Sequence, residues 1–172
     1  MKWILWIFVA LAGFLILIAL IGWLLPKDHA ATRQARYRQP PEAVWKAITD
    51  VDAMPSWREG LRSVKHLPDK NGLPAHLEVT TMGEIPMETV DMTPPRKLVG
   101  RIADPKLPFG GTWTFEITPT AEGSNLRITE NGYVTNPVFR FLSRFVFGYT
   151  GTIESYLKSL AKKFGEPPRI EE

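Results

Sequence analysis

No cysteine occurs among the 172 residues, which excludes a disulfide framework and leaves the compartment open. The chain also lacks a serine nucleophile elbow, a phosphate-binding loop and a dinucleotide glycine motif, so the common signatures of hydrolases, NTPases and nicotinamide enzymes are missing. Histidine is scarce. His29, His66 and His76 are the three present, and none stands at metal-ligand spacing from another or from an acidic residue, which predicts no metal and no cofactor. The net charge is only +3, without a long basic run or an aromatic-interleaved patch, so nucleic acid is not an expected partner. Repeats and low-complexity tracts are absent as well.

Charge itself is missing from one stretch. The 23 residues from Trp3 to Leu25 carry none. At about 1.5 Å per residue they form a helix of roughly 35 Å, enough to cross a hydrocarbon core of about 30 Å with some tilt. Trp3 and Trp6 mark one end and Trp23 the other, where indole rings favour the interface. A cleaved signal would have a shorter apolar region and small residues after it. Here Pro26-Lys27-Asp28-His29 follows, so residues 1–25 read as a retained single-pass anchor. It has no G-x-x-x-G for helix pairing. Lys27, Arg33, Arg36 and Arg38 outweigh Lys2, which puts the folded part on the cytoplasmic side.

Residues 26–31 read as a short linker, 32–165 as one domain and 166–172 as a flexible tail. Thr32–Arg38 alternates as a first strand. Pro41 opens a short helix with Val44, Trp45 and Ile48 at helical spacing, and Pro55-Ser56-Trp57 starts a further turn. Strand-like runs follow over 61–67, 75–82, 85–92, 97–103, 111–118 and 125–134, split by turn residues such as Asp69-Lys70-Asn71-Gly72. Such close spacing predicts an antiparallel meander. From about Pro137 to Phe164 an apolar stripe predicts a long helix, with a kink plausible at Gly148 and Gly151. The fold class is α+β: a curved antiparallel sheet of about six to seven strands around one long C-terminal helix, with a cavity between them.

The stretches PPEAVWKAITDVDAMPSW (40–57), GTWTFEITP (111–119), LRITENGYV (126–134) and the closing helix (136–164) resemble the START/Bet v 1-like (SRPBCC) superfamily, in particular its polyketide cyclase/dehydrase-like and lipid-transport-like members. The resemblance implies a helix-grip fold whose cavity binds lipids, sterols, polyketides, quinones or similar apolar molecules. It carries over no catalytic residue.

Trp113, Phe115 and Ile117 alternate on one strand face and point towards the helix, as core or as pocket wall. Met82 and Met87 suit an adaptable wall or a filled gap. Trp57 reads as structural or as a cap on the cavity mouth. Glu130 shares strand phase with Leu126 and Ile128 and so points inward unless Asn131-Gly132 forms a bulge. Asp91 and Arg101 are candidate partners for it. Phe139, Phe141, Phe145 and Phe147 surround the helix together with Arg140 and Arg144, which fits a cavity entrance or lipid headgroups as well as a thick core. Tyr149 continues the helix stripe.

The leading expectation is a membrane-anchored protein binding a hydrophobic small molecule or lipid, with Trp57, Met82, Met87, Trp113, Phe115, Glu130, Phe141, Phe145 and Tyr149 as ligand-binding residues. Two rival readings are a cyclase or dehydratase with Glu130 as acid or base, and an interaction module of a membrane complex. The balance leans away from an enzyme.

Overall fold

Alternation of apolar and polar side chains writes most of the sheet directly into the sequence. In the computed structural model, which describes residues 2–171, helix α1 spans Lys2–Leu24 and strand β1 spans Asp28–Tyr37. Helix α2 (Pro41–Thr49) and a 3-10 turn (Met54–Ser56) follow. Next come β2 (Leu61–Lys70), β3 (Leu73–Thr80), β4 (Gly83–Thr93), β5 (Lys97–Ile102), β6 (Phe109–Thr120) and β7 (Gly123–Val134). Helix α3 (Pro137–Leu142), one wide π-type turn (Ser143–Phe147), α4 (Gly151–Lys163) and β8 (Ile170–Glu171) complete the chain. All strands form one antiparallel sheet in the order β2-β3-β4-β5-β6-β7-β1-β8.

The sheet curves around α4. Ile117, Leu126 and Ile128 from the strands meet Ile153, Leu157 and Leu160 from α4, all fully buried or nearly so. The helix needs those positions because they form the single apolar stripe it has. Tyr37 closes this core at one edge. Its hydroxyl donates to the Leu157 carbonyl oxygen at 3.1 Å.

Four expectations change. The sheet has eight strands, because the tail contributes β8: Gln34 pairs Glu171 and Ala35 pairs Ile170. Residues 166–171 are therefore tied down, and the Glu166 carboxylate also accepts from the Arg38 amide at 2.9 Å. The linker is shorter than 26–31. Strand β1 starts at Asp28, where its ladder with β7 begins (Asp28 opposite Tyr133), and the Val134 amide donates to the Lys27 carbonyl at 2.9 Å. Cross-strand hydrogen bonds thus impose a strand on residues whose own pattern does not alternate. Finally, the C-terminal helix is not one continuous element but breaks at Gly148, where the sequence places a kink. It widens at Ser143–Phe147 and turns at Gly148, whose φ of +72° only glycine adopts without strain.

Helix α1 is long and apolar enough to cross a membrane. It does not hang free of the domain: α3 packs against its C-terminal turns.

Candidate functional site

Directly opposed residues of an antiparallel ladder share a face of the sheet. The register sets His76 opposite Met87, Met87 opposite Ile102, Gly100 opposite Trp113, Trp113 opposite Glu130, and Glu130 opposite Ala31. Trp113 shares its strand phase with Phe115 and Ile117, both buried in the core beneath α4. These residues therefore line the concave face. The β6–β7 register runs without interruption through Glu130, so no bulge reverses its direction. Towards β3–β5 the concave face is left half-buried, as at His76, Met87 and Ile102.

Glu130 lies at the end of the sheet nearest α1. His29 Nε2 is 3.6 Å from its Oε1, an ion-pair distance rather than a hydrogen bond. Trp113 stands directly opposite across the β6–β7 ladder, and its indole favours the ionised carboxylate. Burial pushes the Glu130 carboxyl above the usual carboxylate range, and His29 and Trp113 offset that only in part. The His29 ring reaches Glu130 because its cross-strand neighbour is Gly132, where any Cβ would collide with the imidazole. The other face of the ring stacks on Tyr149, with centroids 4.3 Å apart. The Arg144 guanidinium lies 5.9 Å over that tyrosine. His29 Nδ1 is buried without a hydrogen-bond partner. Beside this group an open hollow of about 430 Å³ is lined by Asp28, His29, Ala30, Asn131, Gly132 and Tyr133.

A second polar group occupies the same face further along the sheet. Glu78, only 5% exposed, accepts a short hydrogen bond from Arg58 Nη1, and His76 Nε2 lies 3.5 Å from the same carboxylate oxygen. Burial alone would raise this carboxyl, but His76 and Arg58 together hold it below the usual range. Between the two groups stands Tyr156. Its ring meets Trp57, Phe115 and Trp113 at centroid distances of 5.4, 5.5 and 6.1 Å, and Arg58 covers it at 5.2 Å. Among the described residues, the Tyr156 hydroxyl and Trp57 Nε1 are both buried without a hydrogen-bond partner. Burial also raises the Tyr156 hydroxyl above its ordinary pKa, so it stays a neutral donor.

The residues singled out from the sequence divide into three sets. Trp57, Met87, Trp113, Phe115, Glu130 and Tyr149 gather on or against the concave face. Phe141 on α3 and Phe145 in the wide turn after it face each other with ring centroids 5.0 Å apart. Met82 stands apart, 86% exposed on the β3–β4 turn, because the turn falls at Thr81-Met82 rather than beyond it. Asp91 and Arg101 are not partners of Glu130: Asp91 pairs with Lys97 at 2.9 Å and Arg101 with Glu88. Core side chains pack directly under α4, and two open hollows lie at the surface.

Sequence reasoning passed over His29, His76, Arg58, Glu78 and Tyr156. A signal existed for one pair. His76 and Glu78 stand two apart on a strand and so share a face. His29 was hidden by the supposed linker, and Arg58 lies in irregular chain.

Residues 29–165 match the model of a family described as polyketide cyclase / dehydrase and lipid transport. No curated protein matches the chain. Among solved structures, norcoclaurine synthase from Thalictrum flavum is 10% identical with a TM-score of 0.62, covering 81% of this chain and 87% of that one. A protein of Mesorhizobium loti is 19% identical with a TM-score of 0.57, covering 78% and 98%. The di-domain ARO/CYC StfQ from the steffimycin biosynthetic pathway is 18% identical with a TM-score of 0.57, covering 81% of this chain and 52% of its own. At these identities the likeness is one of fold.

Proposed function

Because the chain belongs to the polyketide cyclase/dehydrase and lipid transport family, we propose that it binds a hydrophobic small molecule or lipid along the concave face while α1 anchors it in a membrane. The observation that carries this reading is the row Met87, Ile102 and Trp113. These large apolar side chains are left half-buried on the concave face and end at the incompletely paired carboxyl of Glu130. A ligand would cover the apolar row. Its polar end would meet the Glu130 carboxyl, which His29 and Trp113 compensate only in part, since buried polar groups are rarely left unpaired. The Lys and Arg residues after α1 favour a cytoplasmic domain, with residues 1–25 as anchor and the folded domain starting at β1.

Native mass spectrometry of the full chain in detergent tests the reading, using a long-chain fatty acid and a quinone as probes. The expected result is a stoichiometric adduct of at least one probe that weakens on Trp113→Ala. Absence of any adduct at saturating probe overturns it.

Acid–base catalysis of the cyclase/dehydratase kind is a second reading. It rests on the raised Glu130 carboxyl beside His29, which would donate a proton near neutral pH more readily than an ordinary glutamate. Its test is turnover of a polyketide-like substrate that falls on Glu130→Gln.

A further inference from the structure

The segment joining α3 to α4 has an apolar surface that the domain leaves uncovered. Phe145 is 59% exposed, Val146 61% and Phe147 68%, with Phe139 also exposed on α3. An isolated apolar residue on a surface means little, but a contiguous group marks an interface. What covers this one follows from its position against α1.

Helix α3 is bolted to the last turns of α1. A Cβ on Gly22 would overlap the Pro137 carbonyl, so only glycine permits this approach. Arg140, 4% exposed, donates from Nη1 to the Leu25 carbonyl at 2.8 Å and to that of Trp23 at 3.4 Å, and from Nη2 to the Thr135 carbonyl at 3.2 Å. A guanidinium here satisfies carbonyls that the end of α1 leaves open, at the negative end of its dipole. Near this contact Gly22 is buried and Ile18, Ala19, Ile21 and, just past the helix, Leu25 are half-buried, whereas Leu17, Leu20, Trp23 and Leu24 are exposed. The shielded residues span two turns, about 10 Å of helix. Helix α3 therefore lies beside apolar residues of the anchor itself. It stands at their depth, not above them.

We propose that α3 and the following wide turn form a second membrane contact, a wedge whose exposed phenylalanines enter the bilayer interface beside α1. The proposal rests on α1 as the anchor but not on ligand binding. Its occupant is lipid: the wedge continues an apolar surface that already needs lipid around it, and interfacial segments bury their apolar face about 5–10 Å deep. Arg144, exposed within the same turn, reaches the headgroup level and anionic phosphates. The wedge ends at Tyr149, which stacks on His29. The His29–Glu130 end of the concave face thus lies beside this membrane contact.

The absence of native cysteine makes the test direct. Phe147→Cys and Val146→Cys carry an environment-sensitive fluorophore in the full chain, reconstituted in phosphatidylcholine–phosphatidylglycerol vesicles. Met82→Cys, on the far turn, is the control. No ligand is added, so a failure to bind ligand leaves this measurement untouched. The expected result is blue-shifted emission at positions 146 and 147, quenched by lipid spin-labelled near the headgroup at least about twofold more than the label at 82. Quenching equal to that at 82 overturns the proposal. A blue shift without quenching by spin-labelled lipid also overturns it, because a protein partner would then be the occupant.

Discussion

Glu78 and Glu130 are two carboxylates on one concave face, and their surroundings drive them in opposite directions. Both lose water. Glu78 regains a charged hydrogen bond from Arg58 Nη1, with the His76 ring at 3.5 Å from the same oxygen, and is held below the usual carboxylate range. Glu130 has Trp113 and a histidine at 3.6 Å, and stays above it. The same residue type thus serves as a tie at one end of the face and as an uncompensated group at the other. A buried charge that is paired reports on stability. One that is left short is more often kept for chemistry or recognition.

The largest break in that comparison is Arg58→Ala. It strands Glu78, which is 5% exposed, and removing one partner of a buried pair costs about 3 kcal/mol. Chemical denaturation of the full chain in detergent should show a loss of that size at neutral pH. The pH dependence gives the sign independently. A carboxyl lowered from its ordinary 4.5 contributes stability fully above that value and loses it as pH falls through the folded-state value. The parent protein should therefore weaken below pH 4.5, and the variant should show a flatter acid limb.

Trp113→Phe breaks the other end more gently. The ring survives and continues to pack near Tyr156 and Phe115, but the indole N–H that favours the ionised Glu130 goes, so the loss of stability should be smaller than for Arg58→Ala. NMR titration of the Glu130 carboxyl should show its midpoint moving further up. An unmoved midpoint would mean that Trp113 does not act on Glu130.

The contrast between the two glutamates was half legible in the sequence. Phase with Leu126 and Ile128 pointed Glu130 inward because a strand repeats every two residues, and the ladder keeps that phase intact. Its partner was not legible. Asp91 and Arg101 were reasonable candidates by residue type, yet both pair elsewhere. His29 stands a hundred residues earlier in a stretch with no alternation, and only the β1–β7 register brings it close. Arg58 was invisible for a similar reason, since irregular chain has no periodicity from which to read direction. Local patterns reported facing. They carried no information on cross-strand partners, which depend on register and chain path.

Glu130→Gln is the smallest effect and the sharpest, because its sign opposes the other two. A carboxyl raised from its ordinary 4.5 by burial costs the folded state nothing while it is protonated in both states. As pH rises past 4.5 the unfolded chain ionises first, and the folded state loses ground until Glu130 itself ionises. Glutamine removes that penalty and keeps the shape. The variant should be more stable than the parent at neutral pH, and the difference should shrink towards pH 4.5 and below. Denaturation at neutral and acid pH measures both points. If the variant is instead less stable at neutral pH, Glu130 is a structural tie like Glu78, and its claim to be the recognition group at the membrane end of the groove falls with it. Ligand affinity supplies the other side of the test: a substitution that stabilises the fold while weakening adduct formation separates a group retained for binding from one retained for stability.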